Sequence, residues 1–245
     1  MAYRQISRWI SIFVLAAAIL GAGCVPGTET AENKPATPKP TATPATELEM
    51  SGLYRVNGTD DLNAHPYEGT LNITNRGDAY IFTWHTTVSR PPGVGVQLGD
   101  AMAATYADPA NGKGCGVALY RIATDGSLDG KIAKLGEYTF GSEKAVKNEG
   151  KNFDGKYTVM GTTSDGNKYE GTIDVTKNGK GFQFAWHTGK ESVGFGIWRG
   201  NRAAISFGGP QCSFALYQVM SGRSLEGHWG GQKQVTFGTE TAKRQ

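Results

Sequence analysis

Excess charge is the first thing this chain lacks. Its 25 lysines and arginines stand against 22 aspartates and glutamates, and setting aside Arg4 and Arg8 near the start leaves 23 against 22. So even a balance gives no purchase on a nucleic-acid backbone or an anionic membrane surface, and no nucleic-acid partner is expected. Cysteine and histidine are scarce as well, at three and four residues. A metal centre needs three or four ligands in matched geometry, and each half of the chain offers one repeated histidine and one cysteine. Neither a metal nor a cofactor is expected. Catalytic signatures are missing too. There is no Gly-x-Ser-x-Gly element, and no strand-to-helix switch follows Gly93-Val94-Gly95-Val96, so it does not read as a phosphate loop. The expectation is a protein that is not an enzyme. Beyond the N-terminal segment no stretch keeps a helical stripe, which leaves strands as the building material.

What is present begins with an export signal. Arg4 and Arg8 precede an apolar run from Trp9 to Leu20, broken only by Ser11, and Gly21-Ala22-Gly23 leads into Cys24. A charged start, a short apolar core and small residues before a cut site describe a secretory signal peptide over 1–23. The run falls short of the roughly 20 residues that span a bilayer. Cys24 makes the signal resemble that of a lipoprotein, with cleavage before Cys24 and lipidation of its thiol. Gly21 stands three residues before the cysteine where leucine is usual; Leu20 sits one further back. The alternative is an ordinary cleaved signal with Cys24 in the spacer. Val25 follows the cysteine, and by resemblance to Gram-negative lipoproteins this favours the outer membrane over the inner.

Residues 24–49 read as a tether. Pro26, Pro35, Pro38, Pro40 and Pro44 are scattered among Thr, Ala, Glu and Lys. With almost nothing apolar to bury, such a stretch is expected to stay extended and solvated.

From residue 50 onward the sequence reads twice. Tyr54-Arg55-Val56-Asn57-Gly58 returns as Tyr157-Thr158-Val159-Met160-Gly161, and Tyr67-Glu68-Gly69-Thr70 as Tyr169-Glu170-Gly171-Thr172. Trp84-His85-Thr86 returns as Trp186-His187-Thr188, and Ala118-Leu119-Tyr120 as Ala215-Leu216-Tyr217. Thr139-Phe140-Gly141-Ser142-Glu143 returns as Thr236-Phe237-Gly238-Thr239-Glu240. The order is kept throughout, so repeat 1 covers 50–143 and repeat 2 covers 152–240. The polar stretch 144–151 reads as a linker and 241–245 as a tail. Each repeat, at about 90 residues, is just long enough for its own core.

Within a repeat the apolar period is two. Tyr80, Phe82 and Trp84 alternate with Ile81, Thr83 and His85, and Phe182, Phe184 and Trp186 do the same in the second copy. This is the mark of a half-buried strand. Asn178-Gly179 between alternating runs signals a hairpin. The fold class expected is all-β: two tandem copies of an antiparallel, roughly eight-stranded meander, closing most naturally into a barrel, with a two-sheet sandwich as the other solution. Whether the copies form two lobes or one shared body is left open at this point.

The succession Tyr-x-Val-x-Gly, Tyr-Glu-Gly-Thr, aromatic-x-Trp, Gly-x-Gly, Ala-Leu-Tyr and Leu-x-Gly-x-Trp is similar to small exported proteobacterial domains often labelled fibronectin-binding proteins. The resemblance covers about 51–143 and 152–240. The first copy departs from it with Lys131-Ile132 where the second keeps His228-Trp229. It implies an exported binding module.

Candidate binding residues are His85 and His187, Trp84 and Trp186, and Glu68 and Glu170. Each pair occupies equivalent places. Glu143 and Glu240 close the two copies and add carboxylates, but acid–base work requires a defined separation that a sequence does not supply. Cys115 and Cys212 are also equivalent. The first reading makes them two buried thiols, one per core; the second makes them a bridge near a pseudo-twofold axis. The expected role is an envelope-anchored binding or adhesion lipoprotein attached to the membrane by its lipid, with a protein, glycan or small-molecule ligand. The alternatives are a small-ligand barrel of the periplasm and, with less support, a hydrolase.

Overall fold

Among the described residues the alternating runs become sixteen strands. The structure, a computed structural model, describes residues 47–60, 65–108, 110, 112–150, 152–232 and 236–245. The signal segment, Cys24 and the tether as far as residue 46 lie outside the described residues. The first five strands are β1 (Gly52–Thr59), β2 (Pro66–Arg76), β3 (Ala79–Thr86), β4 (Gly93–Leu98) and β5 (Ala101–Tyr106). Eight more follow: β6 (Gly116–Ile122), β7 (Leu128–Lys134), β8 (Gly141–Glu149), β9 (Gly155–Thr162), β10 (Lys168–Asn178), β11 (Gly181–His187), β12 (Glu191–Arg199) and β13 (Arg202–Phe207). The last three are β14 (Ser213–Val219), β15 (Leu225–Gly231) and β16 (Gly238–Arg244).

These strands close into two antiparallel eight-stranded barrels. Neither barrel is one repeat. The first barrel takes β1 to β5 from repeat 1 and β14 to β16 from repeat 2; the second is the unbroken run β6 to β13. Each therefore holds five strands of one copy and three of the other. The physical reason lies where a linker was expected. Lys144 to Glu149 is strand, the later part of β8, and β8 pairs with its sequence neighbour β9. Strands joined by a short connection pair with each other, so the last strand of copy 1 closes a ring with the first strand of copy 2. The expected tail is strand as well, since β16 runs on to Arg244 and pairs with β1.

The chain thus crosses between barrels twice, from β5 to β6 and from β13 to β14. Cys115 and Cys212 sit on these crossings and are joined by a disulfide, with Cα atoms 5.5 Å apart. Two separate buried thiols, the first reading, do not hold. The apolar face that carries Cys115, Val117 and Leu119 points at the seam between barrels, not into a barrel core, and this brings the two sulfurs together. The crossings also touch through backbone. A Cβ on Gly208, whose φ is +104°, would stand 2.3 Å from the carbonyl oxygen of Gly114.

The seam is a core of its own. Val94 and Val96 of β4, Ala103 of β5, Leu119 of β6, Ile197 of β12 and Phe214 of β14 are packed there. Strands at the seam are buried on both faces, which is why Ala101–Tyr106 has no exposed residue. Inside the barrels Phe82, Trp84 and Tyr217 fill the first, and Tyr120, Phe184 and Trp186 the second. One end of each barrel is plugged in the same way: the Tyr54 hydroxyl donates to the carbonyl of Met50, and that of Tyr157 to the carbonyl of Phe153.

Candidate functional site

The barrels differ at the other end. In the first, β16 turns Gly238, Glu240 and Ala242 inward. A carboxylate inside a barrel of aromatics requires compensation, because an unpaired buried charge is costly. Glu240 receives it from four donors: the Tyr67 hydroxyl at 2.6 Å, the Tyr217 hydroxyl at 2.5 Å, the Trp84 indole nitrogen at 3.1 Å and the Arg90 guanidinium at 2.8 Å. Arg90 itself is buried, with side-chain exposure of 2%. Its guanidinium carbon lies 4.5 Å from the ring centre of Trp229, 4.9 Å from Trp84 and 5.2 Å from Tyr106. A desolvated cation among aromatic faces gains from each ring quadrupole. Arg90 comes from the β3–β4 connection, where Pro91-Pro92 follows it.

Glycine makes room for this arrangement. Glu240 stands between Gly58 of β1 and Gly227 of β15 in the sheet register. A Cβ on Gly58 would come within 2.4 Å of the Tyr67 ring, and one on Gly227 within 2.5 Å of the Tyr217 ring. The tyrosines reach the carboxylate across these two bare positions.

The second barrel repeats the carboxylate and its neutral donors. Glu143 of β8 lies between Gly161 of β9 and Gly130 of β7. It accepts from the hydroxyls of Tyr120 and Tyr169, the latter at 2.7 Å, and from the Trp186 indole at 3.3 Å. The arginine is not repeated. The β11–β12 connection is shorter than the β3–β4 one, and its basic residue, Lys190, is exposed. Among the described residues no ion pair to Glu143 is found. Burial accordingly pushes the Glu143 carboxyl above its ordinary range, against the pull of its three hydrogen bonds. The same burial, with the adjoining carboxylate, holds the Tyr120, Tyr169, Tyr67 and Tyr217 hydroxyls far above the usual phenol range.

The lid differs too. Ile132 pairs with Gly141 as Trp229 pairs with Gly238, so isoleucine stands where the first barrel has tryptophan. Phe207 likewise stands for Tyr106. Without the arginine and the larger lid, a pocket of about 520 Å³ opens at this mouth, with Glu143 on its floor and Ile132, Tyr169, Trp186 and Phe207 among its walls.

No family model matches this chain, and neither a curated protein nor a solved structure is detectably similar to it. The site therefore stands on its own geometry.

Of the residues singled out in the sequence, Trp84 and Trp186 belong to the two barrel mouths. Their neighbours do not. His85 and His187 follow them on the outward face and are exposed. His187 pairs there with Glu191 at 2.6 Å and Asp174 at 3.4 Å. Glu68 and Glu170 are also exposed, one position after the inward Tyr67 and Tyr169. Glu68 shares an outer depression with His85, Arg55 and Lys243, with no second carboxylate side chain along it. The centre of each site, Glu143 or Glu240, and its partner Arg90 were missed as binding residues. Two signals were available. Phe-Gly-x-Glu recurs at the end of both copies, and the lid position differs between them as Ile132 and Trp229.

Proposed function

We propose that this chain is a non-enzymatic small-ligand-binding lipoprotein of the cell envelope, with its binding site at the mouth of the second barrel. The observation that carries this reading is the difference between the two mouths. The first is filled by Arg90 and Trp229; the second leaves about 520 Å³ open above a buried carboxylate. Ligand sites are concave and mainly apolar, with a few placed polar groups, and this pocket has that character. An adhesion module built on two equal surfaces is supported less well, since the two mouths are unequal. A hydrolase is supported less well: Glu68 and Glu170 lie on outer faces, and Glu137, the second carboxylate along the pocket, stands partly exposed beside Lys134. The lipoprotein signal and the resemblance to exported binding domains support placement in the envelope, with the outer membrane favoured by Val25.

The test is a small-molecule screen by ligand-observed NMR on the full chain, repeated on Ile132→Trp. That substitution copies the lid of the first barrel. Ligands of the pocket are expected to lose binding in the variant while its circular dichroism is unchanged. Binding that survives the new lid would place the site elsewhere.

A further inference from the structure

We propose that the second barrel takes a small cation bearing a guanidinium group on a slim apolar stem, seated on Glu143 as Arg90 is seated on Glu240. This inference rests on the pocket being a ligand site and names the class of ligand.

The first barrel supplies the template. It holds a guanidinium against a carboxylate, inside a ring cage, with a hydrogen bond from the guanidinium to the Tyr67 hydroxyl at 3.1 Å. Most of that cage is kept in the second barrel. Trp84 and Tyr106 lie 5.3 Å apart at 60°, and Trp186 and Phe207 lie 5.9 Å apart at 65°. Tyr169 donates to Glu143 as Tyr67 donates to Glu240. The carboxylate, the indole, both tyrosines and the second ring are present; the cation is the part that the described residues do not provide.

Charge balance leads to the same conclusion. Neutral donors spread the charge of a buried carboxylate but do not cancel it. Glu143 is 1% exposed and, among the described residues, has no counterpart of the ion pair that Glu240 makes. A cation entering the pocket would meet this charge where water is scarce, and there a charge-assisted hydrogen bond is strong. The competing cations at the rim are Lys134 and Lys190. Lys134 stands 3.8 Å from Glu137 with both partly exposed, and Lys190 faces solvent, so both charges are screened. The aromatic walls favour guanidinium, whose flat, weakly hydrated face stacks on rings, over a compact ammonium. The smaller Ile132 leaves the gap through which a stem would pass to solvent.

Isothermal titration calorimetry on the full chain tests this with N-ethylguanidinium and its neutral isostere N-ethylurea. N-ethylguanidinium is expected to bind at least tenfold more tightly, with one site per chain, and to lose at least tenfold in affinity in Glu143→Gln. The comparison of the two ligands on the unmodified protein needs no variant, so a folding defect in Glu143→Gln does not decide the matter. N-acetyl-arginine amide tells the source: tighter binding of this compound points to an arginine side chain, weaker binding to a free guanidino compound. N-ethylurea binding as tightly as N-ethylguanidinium would overturn the inference and leave the pocket standing as a ligand site. Should neither compound bind, while the screen finds other ligands that Ile132→Trp excludes, the cation class fails and the functional reading survives. If the screen finds none either, both fall together.

Discussion

The Arg90 guanidinium lies 2.8 Å from a carboxylate oxygen of Glu240, and both side chains are sealed inside the first barrel. The two residues are 150 positions apart in the sequence and come from different repeats. The contact exists because the repeats share their strands: β3 and β4 of the first copy frame the arginine, and β16 of the second brings the glutamate. In the second barrel Glu143 from the first copy meets Trp186 and Tyr169 from the second. Each mouth is thus composed of both copies.

Truncating the arginine should leave Glu240 buried and unpaired. Arg90→Ala is expected to cost about 3–5 kcal/mol of stability, read by urea unfolding at neutral pH. Millimolar methylguanidinium should raise the melting temperature of this variant by more than it raises that of the unmodified protein, whose first barrel is already filled. A stable Arg90→Ala variant with no rescue would mean that the pair is not the keystone of that mouth.

The disulfide encloses the whole second barrel, because Cys115 and Cys212 bracket β6 to β13. Closing a loop of this length contributes about 4–5 kcal/mol in the chain-entropy account. Cys115→Ser with Cys212→Ser is expected to lower stability by about 3–5 kcal/mol, with the spectral signature of the native fold retained at room temperature. Mass spectrometry of the protein unfolded and alkylated without reductant should find neither Cys115 nor Cys212 modified; alkylation of both would contradict the bond.

Much of this was legible in the sequence. The period of two in Tyr80 to Trp84 located β3 and its inward face, and the recurrence of Tyr-Glu-Gly-Thr and Trp-His-Thr placed equivalent strands in two barrels. The exchange of strands was not legible, because β8 turns Lys144 and Val146 outward and sets Gly141, Glu143, Ala145 and the half-buried Lys147 inward, so it looks like a polar linker. A glutamate on the inward face disguises a strand. The same disguise hid the site. Period-two alternation puts every inward residue beside an outward one, and attention fell on Glu68 and His85, one step from Tyr67 and Trp84. Arg90 lies in a connection that is shorter in the second copy and holds no arginine there, so the repeat itself could not point to it.

The pH response of Glu143 follows from its raised carboxyl pKa. The folded state then holds this proton more tightly than the unfolded chain, whose carboxyl titrates near 4.3. Stability from this group is greatest below that pH and falls as pH rises from about 4.3 through the higher folded value. Tyr120, Tyr169 and Trp186 face the carboxyl from β6, β10 and β11, with Lys134, Glu137 and Lys190 at the rim. Glu143→Gln should remove the loss, so its stability relative to the unmodified protein should improve from about pH 4.3 up to the folded value and level off above it, as read by thermal unfolding across a pH series. A flat difference would refute the assignment.

Gly130 shows how tightly the tyrosines are fitted. A Cβ there would stand 2.4 Å from the Tyr120 ring and 2.9 Å from the carbonyl oxygen of Leu119. Gly130→Ala is expected to cost about 1–3 kcal/mol through overpacking and to alter Trp186 fluorescence as the carboxylate loses its donor. By contrast, His85→Ala and His187→Ala should each change stability by less than about 0.5 kcal/mol, since both are exposed surface positions.

The most direct test of the account watches the two tryptophans at the two mouths. In the ¹H–¹⁵N spectrum the indole N–H groups of Trp84 and Trp186 report on Glu240 and Glu143. Titrating N-ethylguanidinium into the full chain should move the Trp186 resonance saturably and leave Trp84 in place, because Arg90 already occupies the first barrel. Equal movement of both resonances, or movement of Trp84 alone, would contradict a filled first mouth and an open second one.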